Sequence, residues 1–425
     1  MSKRVLMFGA SLLLLLNWAV IEINAQGPLD VSGNINGANY RIVVPPAWNG
    51  TLLVYAHGYR DKADHPGETD NRNADIAPTG LANILLGQGY ALAGTAYKNN
   101  GWAVEEGVED LKDLTVYFRD NIARPKRTIV WAFSMGTVIA FKSMEHFNGI
   151  YDGALCACAV GAGSTQAWDG AGDLMLAYQT VFGMPSSWGT VGDIRDNIDF
   201  ETEVQPKLVA EVSNPANFPK FEFLRLVTGT PGRGLTPPAP PAFYPGWVFI
   251  DMAFTTEYRS EVERRAGGPV VQNLNRNYNL TNGERMYLNS RGLPNSVIDG
   301  WLNAMNAQRN IAAPPASRNY LEHNANYSGK IKNPILTMHT QFDPLVTVSQ
   351  EYEYAETVNS AGRGNLLFQT YTDGNGHCSF TGPQIITAVN AINNWVANGV
   401  KPTAATFPAA AGFLPGFVPP PMNQP

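Results

Sequence analysis

Three residues have the types and chain order needed for nucleophilic attack on an acyl carbon: Ser134 in AFSMG, Asp343 in HTQFDPLVTV and His377 in DGNGHCSF. A serine hydroxyl is a weak nucleophile until a base takes its proton, and an imidazole is an effective base only when an acid holds it in one tautomer. Together the three can pass an acyl group to water without a metal. Ser134 follows the β-rich run TIVWAF and precedes a helical one, the strand, sharp turn, helix setting that lifts a hydroxyl clear of a sheet. Gly136 supplies a small residue for that turn, while Ala132 stands where a first glycine is usual. Alanine suits that place if the need is lack of bulk, and not if the backbone there takes a positive φ.

His377 lies on a glycine-rich loop after LLFQTY, able to bend over the sheet toward Ser134. His65, His146 and His323 occupy no comparable strand-end loop, and His339 is inside a strand. Asp343 sits just past PILTMHT; Asp373, on the loop of His377 itself, and Asp152, ahead of its strand, are the rival acids. The oxyanion formed during attack needs donors aimed at it. The backbone N–H of Met135 is one, and VYAHGYRD offers that of Tyr59 as the other, with His57-Gly58 making the turn.

Residues placed in this way require strands that end along one edge, with helices returning the chain between them. Apolar, β-rich runs at 51–57, 91–97, 128–133 and 153–160 alternate with helical spacing at 76–88, 104–118 and 135–147. Farther on, 334–339 and 366–371 read as strands, and 348–358 and 383–396 as helices. The fold class is α/β, a mostly parallel sheet flanked by helices. Between the two portions, residues 163–330 are rich in Gly, Pro and Trp and weak in periodicity, and read as a cap inserted over the site. The chain thus divides into a leader (1–25), two parts of a catalytic core (26–162 and 331–400), the cap, and a Pro/Ala-rich tail (401–425) expected to be poorly ordered or draped on the surface.

Lys3 and Arg4, the apolar stretch 5–20 and Ile23-Asn24-Ala25 have the form of a cleaved signal peptide, so a secreted or periplasmic protein without a membrane anchor in its mature form is expected. With 425 residues, 16% charged, a net charge of −6 and no basic run, the chain is not built to bind nucleic acid. It has no CxxC and no HExxH, so no metal is expected. Its three cysteines are Cys156, Cys158 and Cys378. A disulfide from Cys378 to Cys158 is expected, since Cys158 is nearer the strand end; alternation along a strand puts Cys156 on the same face, so depth alone separates the two. Free buried thiols are the alternative.

HGYR, AFSMG, HTQFDPLV and GNGHCSF, in that order, resemble the α/β-hydrolase superfamily, and GHC followed by NNWVANGVKP is similar to secreted bacterial serine esterases of the feruloyl-esterase and tannase-like kind. The superfamily resemblance spans 26–162 and 331–400. It implies an eight-stranded type of sheet, a lid made by the insertion, no cofactor, and hydrolysis of a small-molecule or polymer-linked carboxylic ester. A lipase or peptidase of the same fold, or a binding protein that keeps the fold, are the rivals. A lipase would carry a strongly apolar cap, whereas Trp168, Trp188, Phe243, Tyr244 and Trp247 are interleaved with prolines and asparagines. An aminopeptidase would need an acidic grip such as Glu261, Glu263 or Asp251, and a binding protein would normally have lost a member of the Ser-Asp-His set.

Overall fold

The computed structural model describes residues 28–230 and 246–422, so the leader and the aromatic residues Phe243 and Tyr244 lie outside the described residues. Asn36-Gly37, with φ of 51° and 97°, closes a hairpin between β1 (Leu29–Ile35) and β2 (Ala38–Val44). Asn-Gly favours this because both turn positions need φ above zero. This hairpin lies upstream of the first strand expected from the sequence. The remaining strands are β3 (Thr51–Ala56), β4 (Ala91–Thr95), β5 (Arg127–Phe133), β6 (Gly153–Ala157), β7 (Ile335–Phe342) and β8 (Leu367–Asn375). They form one sheet in the order β1-β2-β4-β3-β5-β6-β7-β8, parallel from β4 to β8 and antiparallel at β1 and β2.

Helices α1 (Ala82–Gly87), α2 (Val104–Asn121) and α3 (Met135–His146) connect the strands up to β6. Alternate residues of each central strand feed two cores. Leu52, Val54, Val130 and Ala132 pack with α2 and α3, while Leu53, Tyr55, Ile129 and Trp131 face α1 from the other side. Burial on both faces explains why these strands read as unbroken apolar runs. The helix expected over 76–88 is shorter, because Pro78 and Gly80, at φ 83°, stop it until residue 82. The strand expected over 153–160 ends at Ala157, where Cys158 turns to φ 47°.

The described residues between 163 and 330 are mostly helical: α4 (Gly163–Phe182), α5 (Gln205–Val212), α6 (Phe218–Thr228), α7 (Trp247–Ala253), α8 (Arg259–Ala266), α9 (Asn282–Ser290), α10 (Asn295–Ala307) and α11 (Pro315–Ala325). They enclose a core of their own, built on Tyr178, Trp188, Phe221, Trp247 and Leu302. Polar ties fasten this body to α2 and to the loops after β3 and β4: Arg265 to Glu106 at 2.8 Å, the Trp102 N–H to Glu261 at 2.8 Å, and the Tyr258 hydroxyl to Asp61 at 3.0 Å. After β7 come α12 (Ser349–Ser360), on the face of α2 and α3, and α13 (Gly382–Asn398), on the face of α1.

The tail is anchored over its described length. Phe407 and Phe413 are buried, Phe413 bridges to Thr372, and the Leu414 N–H donates to the Tyr371 carbonyl at 2.9 Å. Of the two outcomes its composition allows, poor order or draping on the surface, the described part takes the second, because two aromatic side chains give it enough apolar area to dock along the edge strand β8.

Candidate active site

One residue separates β5 from α3, and it is Ser134, at φ 54° and ψ −130°. A non-glycine residue in that region costs roughly 1–3 kcal/mol and persists only where its surroundings impose it. Here the Ser134 N–H donates to the Ala157 carbonyl at 3.1 Å, and its own carbonyl accepts from the Thr137 N–H at 2.8 Å and hydroxyl at 2.6 Å. Gly136 is needed for close approach: a Cβ there would stand 2.2 Å from the Ala56 carbonyl oxygen. Ala132 lies inside β5, fully buried and without a positive φ. The requirement at that position is therefore lack of bulk, which alanine meets.

The His377 loop brings Nε2 to 2.8 Å from Ser134 Oγ, while Nδ1 lies 2.8 Å from Asp343 Oδ2. The Nδ1–H donates to the carboxylate, so Nε2 is left to accept the serine proton. Asp343, 1% exposed, also accepts from the Leu345 and Val346 N–H groups at 3.0 and 2.9 Å through its other oxygen. Burial alone would push its carboxyl up; the facing imidazole of His377, by charge and hydrogen bond, together with the Val346 N–H, holds it below the usual carboxylate value. The rival acids have other tasks. Asp373 is exposed and its N–H pairs with the Gly412 carbonyl, and Asp152 accepts from the Thr128 N–H at 2.8 Å.

The donors proposed for the oxyanion also fall beside the serine. Met135 opens α3, where N–H groups are free of intrahelical partners. Gly58 lies against Ser134, since a Cβ on it would be 3.2 Å from the serine Cβ, and Tyr59 follows directly. The backbone N–H groups of Tyr59 and Met135 have no hydrogen-bond partner among the described residues. His57 supports this turn: it stacks on Tyr97 at 4.0 Å and donates from Nδ1 to the Gly58 carbonyl at 2.7 Å. Burial pushes it down to about 3, so it stays neutral.

Cys158 and Cys378 are joined, with Cα atoms 5.2 Å apart, and Cys156 is free and buried. Cys156 and Cys158 do not share a face: Cys156 packs on the side of α2 and α3, and Cys158 on the side of α1 and α13. The positive φ of Cys158, one residue past the strand, breaks the alternation and turns its sulfur toward Cys378. Because Cys378 adjoins the base, Cys378→Ser should lower kcat more than it raises KM, and thiol titration of the denatured, unreduced protein should find one thiol. Three thiols would show that the bridge does not form.

Ser134 borders two cavities. The smaller one, about 90 Å³, is lined by Trp102, Trp168, Asp251 and Phe254; the wider one, about 570 Å³, by Tyr59, Tyr258, Phe133 and His377. Ser134 thus stands where the two cavities meet. Asp199, Glu201 and Glu257 form a separate group in the cap, but Asp199 accepts from the Thr202 N–H and Glu257 from the Phe200 N–H, so both serve the chain itself. Of the three acids the sequence offers as an amine grip, Glu261, Glu263 and Asp251, only Asp251 lines a cavity that Ser134 also lines, and no spacing rule linking residue 251 to 134 could have singled it out.

No family model matches this chain. An o-phthalyl amidase of Xanthobacter agilis is 31% identical over 127 residues, which are 29% of this chain and 25% of the amidase, so the match spans a quarter of that relative's length. Among solved structures, the chain is similar to an esterase of Pyrococcus furiosus at 13% identity and TM-score 0.39, with 91% of this chain and 93% of the other covered. It is similar to feruloyl esterase B of Aspergillus oryzae at 14% and 0.38, covering 88% and 80%, and to a tannin acyl hydrolase of Aspergillus niger at 13% and 0.39, covering 88% and 79%. Likeness at that level leaves the fold to be read from the connectivity. The strand order, the one-residue turn at Ser134 and a cap inserted after β6 give this chain the α/β-hydrolase fold.

Proposed function

We propose that the protein is a secreted serine hydrolase that cleaves carboxylic esters through an acyl-enzyme. The observation that carries this reading is the unbroken relay Ser134–His377–Asp343, 2.8 Å at each step, at the junction of two cavities. Ser134 Oγ attacks the carbonyl carbon as its proton passes to His377 Nε2, and the oxyanion is met by the N–H groups of Tyr59 and Met135. His377 then gives that proton to the departing alkoxide, which leaves as alcohol. Water, deprotonated by the same nitrogen, attacks the acyl-serine and frees the acid and the enzyme.

Secretion or periplasmic placement is supported by the signal-like start and by a disulfide, which needs an oxidising compartment to persist. Among the described residues no helix is long and apolar enough to cross a membrane. The partly identical amidase favours a second reading, an amide as substrate, since the same relay could protonate a leaving amine. Parallel assays with p-nitrophenyl butyrate and p-nitrobutyranilide test the choice. The ester should turn over faster; a faster anilide would move the protein to the amidases, and turnover of neither by wild type would refute hydrolysis of this kind.

A further inference from the structure

We infer that Asp251 makes the smaller cavity a site for a primary ammonium carried by the substrate. The inference rests on the proposed role of Ser134, because it names the substrate class of the same site. Asp251 lies on α7, lines the cavity that Ser134 also lines, and is 4% exposed. Neither of its carboxyl oxygens has a hydrogen-bond partner among the described residues.

Other buried acids of the cap each meet an arginine, Glu222 pairing with Arg225 through one of its two oxygens. Glu263 pairs with Arg259 at 2.8 Å, Asp173 with Arg276 at 3.0 Å, and Asp169 with Arg318 at 2.7 Å. Glu261, which the sequence offered as an amine grip, is held by Arg265 and by the Trp102 N–H, so that role falls to Asp251 alone. A buried carboxyl without a donor costs stability, and such groups concentrate where a ligand supplies what the chain withholds. Burial, then the charge of Asp343, pushes Asp251 well above the usual carboxylate range, a penalty that an incoming cation would relieve.

The chemistry of the lining selects a cation over an anion. Asp251 is the only charged side chain among the described residues that line this cavity, and there is no Lys, Arg or His. Trp102, Trp168 and Phe254 present aromatic rings, Trp168 lying 5.2 Å from Trp102 and 6.0 Å from Phe254. Aromatic faces attract a desolvated ammonium, whereas a carboxylate would meet only negative charge. A compact ammonium on a short apolar stem fits about 90 Å³, with the scissile carbonyl reaching back to Ser134.

The test compares n-butylammonium with 1-butanol as competitive inhibitors of p-nitrophenyl butyrate hydrolysis. In wild type the ammonium should bind at least about tenfold more tightly than the alcohol, the scale of a desolvated charge pair, and Asp251→Asn should abolish that preference. The variant's Tm should hold or rise, because an ionisable carboxyl without a partner is gone; a structural role would lower it. Equal inhibition by the two compounds in wild type, or an unchanged preference in Asp251→Asn, overturns the inference. Calorimetry on Ser134→Ala separates this from the esterase reading, since it needs no turnover. Heat with n-butylammonium and none with 1-butanol supports the cation site, and no heat with either refutes it, whatever wild type does to the ester.

Discussion

Ser134→Ala should reduce turnover of p-nitrophenyl butyrate by about 10⁵-fold or more, with KM little changed and the fold intact. The loss is that large because nothing else near the carbonyl can attack in its place: His377 Nε2 then faces a methyl group, and the N–H groups of Tyr59 and Met135 still bind an oxyanion that no longer forms at speed. Stability should change little, since alanine bears the same φ of 54° as serine and the Ser134 N–H keeps its bond to Ala157. Steady-state kinetics with a thermal melt on the same preparation checks both halves. Turnover near wild type in a folded variant would remove Ser134 from the mechanism.

For Asp343→Asn we expect a fall in kcat of about 10⁴-fold, comparable with the loss of imidazole orientation in other triads. The reason lies in the direction of one hydrogen bond. Asparagine can keep the Leu345 and Val346 N–H groups through its oxygen, and its amide then points N–H at His377 Nδ1. Nδ1 must accept, the ring proton moves to Nε2, and the nitrogen facing Ser134 can no longer take a proton. Asp373→Asn serves as the control: that side chain is exposed and should leave kcat within a factor of about two, as surface changes away from any network do. The reverse ranking of the two variants would mean that Asp373, not Asp343, orients the base.

The relay was legible in the sequence because each member sits just past the end of a strand. TIVWAF and PILTMHT lie in strands buried along nearly their whole length, so their ends could be located, and Ser134 and Asp343 directly follow β5 and β7; LLFQTY belongs to the half-buried edge strand, which runs on to Asn375, two residues before His377. The cap was far less legible. Helix α7 passes into the π-helical turn Phe254–Tyr258 before α8, and one extra residue per turn swings the apolar face by about 100°, so a count at 3.6 fails across it. Some signals went unread: Thr281 and Glu284 form a capping box at the start of α9, and Asn36-Gly37 marks the first hairpin. The face of Cys158 could not have been read from alternation, because its positive φ is imposed by tertiary structure.

The docked tail has a further consequence. Beyond Phe413, the run Pro419-Pro420-Pro421 leads to Met422, which lines the cavity shared by Ser134 and Asp251 and whose N–H donates to Glu353 at 3.2 Å. Three successive prolines have little conformational freedom to lose, so they act as a strut that sets a flexible thioether against the pocket at small entropic cost. One lining residue of that cavity thus comes from a segment remote in sequence from both the cap and Ser134. Exchanges at Met422 should therefore reshape this cavity without disturbing a strand, a helix or the hydrogen bonds of His377.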